Sequence, residues 1–199
     1  MSRDVVMLDS GGTNLGSVQY AFERLGVRAE LSRDPERIRR ASHVVLPGVG
    51  AAAPGMLRLR ESGLDRLIPT LTQPVLGVCL GMQLLFEASA EGGTACLGIL
   101  KGRLTRFDEA RCGRVPHMGW NRIDAIADSP LLAGLGRDAF AYFVHSYAAP
   151  VTSATVATCD YGGAFAAIVS ERNFHGAQCH PERSAAVGAR LLSNFLELS

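Results

Sequence analysis

Lysine is almost missing from this 199-residue chain: of twenty basic residues only Lys101 is a lysine, and tryptophan occurs once, at Trp120. Net charge is just as scarce. Twenty basic residues stand against nineteen acidic ones, for a net charge of +1, a balance that gives no reason to expect nucleic acid, a membrane surface or a polyanionic partner. The two basic clusters, 33–40 and 101–114, have acids interleaved and read as solvated faces. Cysteine is limited to Cys79, Cys96, Cys112, Cys159 and Cys179. The odd count, irregular spacing and lack of any C-x-x-C argue against a disulfide framework or a zinc site and fit a reducing compartment. No apolar run approaches membrane-spanning length. Met1-Ser2-Arg3-Asp4 leads into "VVMLD", too short and too quickly polar for a secretory leader, so a cytoplasmic location is expected. What remains is ordinary for a soluble globular protein, 47% hydrophobic and 20% charged, and long enough to build a core without staples.

The hydrophobic pattern alternates between short apolar runs and helical periodicity. "VVMLDS" (5–10) reads as a buried strand, and 11–14 as a turn in which Thr13 or Asn14 could cap a helix. Leu15, Val18, Phe22 and Leu25 then give that helix an apolar face. "HVVLPGVGA" (43–51) reads as a second strand broken at Pro47-Gly48, 57–71 as helix, and "VLGV" after Pro74 as a third strand. A helix from Leu80 to about Ala88 follows. Beyond Glu91-Gly92-Gly93 come shorter strand-like runs between polar turns, and a final helix over 184–198 with Val187, Leu191 and Phe195 on one side. Strands alternating with helices predict a parallel sheet covered on both faces, and the later runs add antiparallel strands. One α/β domain over 1–199, with a mixed, mostly parallel sheet flanked by helices, is the expected fold. "GGTNLGS" is not a dinucleotide fingerprint: Thr13 stands where G-x-G-x-x-G needs glycine, and no G-K-[ST] occurs.

The most informative stretch is "GVCLGMQLLFE" (77–87). G-x-C-x-G has the shape of a nucleophile elbow, in which a sharp strand-to-helix turn lifts one side chain out of the sheet edge. Cys79 then stands at the start of a helix, a setting that favours a thiolate, and the Leu80 N–H is placed to hold an oxyanion. A cysteine in a tight turn can equally be mere packing, so the elbow needs a base and an orienter for that base. Of five histidines, His180 in "GAQCHPERS" stands out: it ends an apolar strand, Pro181 stops the ladder, and Glu182 can return to its side. Cys79, His180 and Glu182 form a candidate triad. "LPGVGA" ends an earlier strand at the same sheet edge, where Gly48 and Gly50 would let the backbone present the Val49 or Gly50 N–H as a second oxyanion donor.

With "PGVG", "GVCLGMQLLFE" and "CHPE" in this order, the chain resembles the class I (triad) glutamine amidotransferases. "GGTNLGSVQYA", "VPHMGWN" (115–121), "YFVHSY" (142–147) and "HPERSAAVGARLLSNF" (180–195) make it most similar to the glutaminase subunits that feed imidazole glycerol phosphate synthesis in histidine biosynthesis. The resemblance implies that Cys79 attacks the side-chain amide of glutamine, that His180 protonates the departing ammonia, and that water hydrolyses the glutamyl thioester. It implies glutamine-binding roles for Gln83, Glu91, Ser146 and Tyr147, and no metal or other cofactor. It also implies a heterodimer with a (β/α)₈ cyclase subunit, which would turn the ammonia and a phosphoribulosyl-formimino nucleotide into imidazole glycerol phosphate and aminoimidazole carboxamide ribotide. Asn14, Trp120 and Arg183 match positions expected at that interface.

Two positions depart from the pattern. Cys179 replaces the usual aromatic residue before the histidine and is expected to pack in the core, because adjacent strand side chains face opposite ways. Arg183 follows H-P-E where lysine is common, in keeping with a chain that uses arginine almost throughout. Three other readings share parts of this pattern: the amidotransferase of another pathway, a stand-alone thiol hydrolase of γ-glutamyl bonds, and a non-enzymatic scaffold, the last disfavoured by the intact triad.

Overall fold

The computed structural model describes residues 3–9 and 14–199. Its centre is an eight-stranded mixed sheet in the order Ala29–Ser32, Val5–Leu8, His43–Gly48, Val75–Cys79, Phe174–Ala177, Ala164–Glu171, Thr155–Asp160 and Asp124–Ala125. The first five run parallel and the rest pair antiparallel. Parallel strands are covered on both faces and so read as continuous apolar runs. Val5, Met7, Val45, Leu76 and Val78 point to one side, packing with Val18 and Phe22 of the first helix (Leu15–Glu23) and with Leu191, Leu192 and Phe195 of the last (Ala185–Phe195). Val6, Leu8, Val44, Leu46 and Val75 point to the other, against Ile38, Met56, Leu59, Leu64 and Leu67. Two smaller sheets cap the carboxyl-end rim. One pairs His117–Arg122 with Phe140–His145; the other joins Tyr147–Ala148, Leu100–Arg106, Phe86–Ser89 and Thr94–Ala95.

Several boundaries differ from the sequence expectation, each for a local reason. The first strand is Val5–Leu8; Ser10 and the expected turn and cap at 11–13 lie outside the described residues. Asn14 precedes the first helix with φ 70°, outside the extended conformation of a capping residue, and makes no capping bond; its amide nitrogen donates to Glu182, as described below. The strand Ala29–Ser32 and the helix Pro35–Arg40 were not foreseen. That strand has a polar outer half, while the helix is fixed by the Asp34 carboxylate accepting from the Glu36 N–H. Two of its arginines are ion-paired: Arg37 bonds Asp4 and Glu30, and Arg39 bonds Glu36.

Pro47 does not break its strand. It is registered with Val78, beyond the stretch 43–45 that is registered with the first strand, so its missing N–H falls where the strand is leaving one neighbour. The 57–71 segment is two helices, Ala52–Glu61 and Leu64–Leu67, divided at Gly63 in the left-handed region. The helix after Cys79 ends at Leu84 instead of about Ala88: Phe86–Ser89 leaves as a strand and pairs with Leu100–Arg106. The strand before His180 ends at Ala177, and Pro181–Arg183 forms a 3₁₀ turn with His180 as its cap residue.

Candidate active site

The strand Val75–Cys79 ends at the carboxyl rim of the sheet, where ligands bind in open α/β folds. At Cys79 the chain reverses sharply into the five-residue helix Leu80–Leu84, and the cysteine takes φ 53°, ψ −111°. Such a conformation costs of order 1–3 kcal/mol for a residue with a side chain and persists only where the surroundings impose it. They do so here through close approach. A Cβ on Gly81 would lie 1.8 Å from the Leu46 carbonyl oxygen, and one on Gly77 would lie 2.6 Å from the Met82 nitrogen. The two glycines therefore press the helix start onto two strands and leave Cys79 at the edge of a cavity.

That cavity, about 490 Å³, is lined by Asn14, Val49, Gly50, Cys79, Leu80, Gln83, Glu91, Ser146, Tyr147, His180 and Arg183, among others. It gathers every residue predicted from the sequence for catalysis, the oxyanion and substrate binding: Cys79, His180, Glu182 through its bond to His180, Val49, Gly50, Leu80, Gln83, Glu91, Ser146 and Tyr147. Of the three predicted interface residues, Asn14 and Arg183 line it as well, and Trp120 does not.

His180 is held from three directions. Its N–H donates to the Tyr142 carbonyl at 2.9 Å, its carbonyl accepts from the Ser184 hydroxyl at 2.7 Å, and its Nδ1 lies 2.8 Å from Glu182 Oε1. Glu182 Oε1 also accepts from the Asn14 amide at 2.9 Å. The side chains of His180 and Glu182 are 5% and 1% exposed. Nε2 of His180 is buried with no partner in hydrogen-bonding geometry, and the Cys79 sulfur lies close enough to stabilise its proton. Burial works to lower the histidine pKa, but the Cys79 sulfur and the Glu182 carboxylate outweigh it and raise it to about 10. Burial likewise works to raise the Glu182 pKa, and the bond and charge of His180, helped by Asn14, hold it below its ordinary value. The pair is an imidazolium oriented by a carboxylate.

The remaining lining residues are also committed to specific bonds. Gln83 donates both amide hydrogens, to the Tyr147 carbonyl at 3.0 Å and to Gln178 Oε1 at 2.9 Å. Only its Oε1 is left to accept from a ligand N–H. Glu91 Oε2 accepts from the Ala52 N–H at the start of the helix Ala52–Glu61, at 2.7 Å. Gln178 was missed by the sequence reading: it is fully buried and its Nε2 faces the Cys79 sulfur at 3.9 Å. The available signal was a lone amide inside the apolar run "FHGAQC". Gly50 has φ 96°, in the region that favours glycine, and a Cβ there would meet no atom within 4 Å.

Outside the cavity, Trp120 is 55% exposed, its ring 6.2 Å from Tyr142, over which the Arg183 guanidinium sits at 5.0 Å. Met118 and Phe140 are exposed on the same pair of strands. The alternation in "HMGWNR" accounts for this: His117 faces inward, Met118, Trp120 and Arg122 outward.

Cys179 is fully buried in the core cluster with Val78, Phe143 and Phe165, and burial pushes its thiol pKa well up. Cys179→Val is expected to leave turnover intact and to change stability by less than ~1.5 kcal/mol. Chemical denaturation together with a glutamate-release assay checks it, and a large loss of turnover in a folded variant would show that the thiol does more than pack.

Among the described residues there is no group of three or more His, Cys, Asp or Glu that could hold a metal ion, and no helix is long and apolar enough to cross a membrane. Residues 6–198 match the family described as glutamine amidotransferase class-I. The chain is 57% identical, over 98% of each chain, to the imidazole glycerol phosphate synthase subunit HisH of Xanthomonas axonopodis pv. citri (strain 306). It is 54% identical, again over 98% of each, to the subunit of that name from Xylella fastidiosa (strain Temecula1 / ATCC 700964). A crystal structure described as a glutamine amidotransferase superimposes with a TM-score of 0.75 at 20% identity, covering 97% of both chains; that likeness bears on the fold. A match of this extent, on a chain whose elbow cysteine and oriented histidine share one cavity, leaves one placement: the chain belongs to the class-I glutamine amidotransferase family, among its HisH subunits.

Proposed function

We propose that this chain is the glutaminase subunit of imidazole glycerol phosphate synthase, hydrolysing glutamine to glutamate and ammonia and passing the ammonia to a (β/α)₈ cyclase partner in the cytoplasm. The observation that carries this reading is the buried His180–Glu182 pair, which leaves Nε2 bare in the cavity that holds Cys79. The match over 6–198 and the single central sheet support one amidotransferase domain across the chain.

The Cys79 thiolate attacks the side-chain carbonyl carbon of glutamine. Negative charge develops on the carbonyl oxygen, against the Leu80 N–H and a donor from Val49 or Gly50. As the tetrahedral species collapses, His180 gives its Nε2 proton to the amide nitrogen and ammonia leaves, with the acyl group held as a thioester on Cys79. The neutral imidazole then takes a proton from water, whose oxygen attacks the thioester, and glutamate departs as the thiolate re-forms. Glu182 fixes the ring through Nδ1 and stabilises the imidazolium; Asn14 holds Glu182. Glu91, the one carboxylate among the described residues that line the cavity, suits the ammonium of the amino acid, Gln83 offers Oε1, and Ser146 and Tyr147 supply further polar contacts. Trp120 stands on the exposed apolar strands, Arg183 lies over Tyr142 of the same pair, and Asn14 lines the cavity with Arg183; this is the face to which the cyclase would dock.

An oxyanion site that depends on the turn 47–50 can be switched by one peptide. Losing one oxyanion donor typically costs ~10²–10³ in kcat, and glycine on either side of Val49, with Gly50 at φ 96°, gives this backbone more than one accessible orientation, so the competent one need not be the resting one. The partner would act by contacting that orientation preferentially. Glutamate release is therefore expected to be weak for the isolated chain and to rise on the order of 10²-fold with the cyclase and its nucleotide bound. Copurification of a (β/α)₈ subunit with the chain, followed by that assay, tests both parts. If the isolated chain already turns over as fast as the complex, a stand-alone hydrolase is the better description.

A further inference from the structure

Two buried histidines that the mechanism does not use bond to each other: His145 lines the cavity and His117 stands behind it. His145 ends the strand Phe140–His145, and its Nδ1 lies 2.8 Å from the carbonyl oxygen of Tyr147, across the turn at Ser146. Its Nε2 lies 3.1 Å from Nδ1 of His117 on the paired strand, and Nε2 of His117 lies 3.2 Å from the Asn121 amide nitrogen. That amide also donates to the Asp160 carbonyl at 2.9 Å. Phe107, Phe143, Tyr161 and Phe165 enclose the two rings, with Tyr161 stacked on His117 at 4.1 Å. The bond between the two rings is buried, and there it counts for more than it would at the surface; the bonds at either end are partly buried, and the one to Asp160 is exposed.

The chain has a single sense. A carbonyl oxygen only accepts, so Nδ1 of His145 carries the hydrogen. In a neutral ring Nε2 then accepts, which requires the hydrogen of His117 on its Nδ1 and leaves its Nε2 to accept from Asn121. Burial keeps both rings neutral at physiological pH, lowering the pKa of His117 to about 4 and that of His145 to about 3, the latter despite the bond to Tyr147. The far end of the series acts on the cavity. The Tyr147 carbonyl takes the His145 N–H on one side and the Gln83 amide on the other, while the Ser146 carbonyl takes the Phe107 N–H at 3.0 Å. Ser146, Tyr147 and Gln83 all line the cavity.

We infer that Asn121, His117 and His145 are positioning residues for the substrate: through a directed relay of hydrogen bonds they set the Ser146–Tyr147 turn against which glutamine is held. This rests on the glutaminase reading for the identity of the ligand, not for the relay itself. Because Cys79, His180 and Glu182 take no part in the relay, its loss should loosen ground-state binding and spare the chemical step.

Nitrogen-15 spectra of the imidazoles of the intact chain at neutral pH test the relay without any assay. Both His117 and His145 are expected as the neutral Nδ1–H tautomer, the opposite of the form free histidine favours. An Nε2–H tautomer or a cationic ring at either position would overturn the inference. Kinetics of the chain assembled with its cyclase test the consequence. His117→Phe keeps the aromatic packing but removes the donor to His145. It is expected to raise KM for glutamine about tenfold, the loss of one buried hydrogen bond, with kcat within about twofold. His117→Asn, which can still donate from the Nδ1 position, should recover most of that loss. A fall in kcat at unchanged KM, or a His117→Phe enzyme indistinguishable from wild type, contradicts the inference. A wild-type complex that releases no glutamate would instead sink the glutaminase reading, and the spectra would still decide the relay.

Discussion

Replacing Cys79 with alanine is expected to remove glutamine hydrolysis, with turnover falling on the order of 10⁶-fold, while the assembled complex still cyclises its nucleotide when given ammonia. The asymmetry follows from where Cys79 stands. Its side chain is 6% exposed and lies at the cavity edge, held there by a backbone turn that alanine can inherit. The variant therefore keeps the fold and the partner face, and loses only the atom that forms the thioester. Supplying ammonia bypasses that atom. Loss of both activities would mean that the elbow matters for assembly; retention of both would mean that another group attacks glutamine.

The second large effect separates the two members of the buried pair. His180→Ala should cost turnover more than Glu182→Gln, because His180 moves protons in both half-reactions, a contribution of typically ~10²–10⁴-fold, whereas Glu182 orients it and stabilises its charge. Single-turnover measurements with folding verified would show this order, and equal or reversed losses would remove the assignment. The same pair predicts a pH dependence of stability. The folded pKa of His180 is raised from 6.5 to about 10, so its contribution is fully present below about pH 6.5 and is lost as pH climbs toward 10. The pKa of Glu182 is lowered from 4.5, so its contribution is present above that value and is lost as pH falls through the acidic range. The stability gap between wild type and Glu182→Gln should therefore be widest between about pH 4.5 and 6.5 and should narrow on either side.

The parts of the site that could be read in the sequence are those made by adjacent residues. The elbow needs glycines two positions to each side of the cysteine, and the base and its orienter are two residues apart, so G-x-C-x-G and H-P-E carry their geometry with them. Parallel strands such as 43–48 and 75–79 were visible because burial on both faces leaves no polar interruption. What escaped depends on partners distant in sequence. Gln178 matters because Gln83, 95 residues away, and Cys79 meet it. The helix after Cys79 stops at Leu84 because Phe86–Ser89 finds Leu100–Arg106 to pair with. Asn14 could have been a helix cap by residue type, and turned instead to Glu182, 168 residues on. Ala29–Ser32, with its polar outer half, looks like a loop until its pairing with Val5–Leu8 is seen.

The most direct test is to trap the intermediate. The chain in complex with its cyclase and nucleotide is mixed with glutamine, quenched in acid within a single turnover, digested and mapped by mass spectrometry. A glutamyl thioester is expected on the peptide bearing Cys79, absent from the Cys79→Ala variant and from Cys96, Cys112, Cys159 and Cys179. Glutamate formed at the full rate with Cys79 unmodified throughout, or an adduct on any other residue, would contradict covalent catalysis at the elbow.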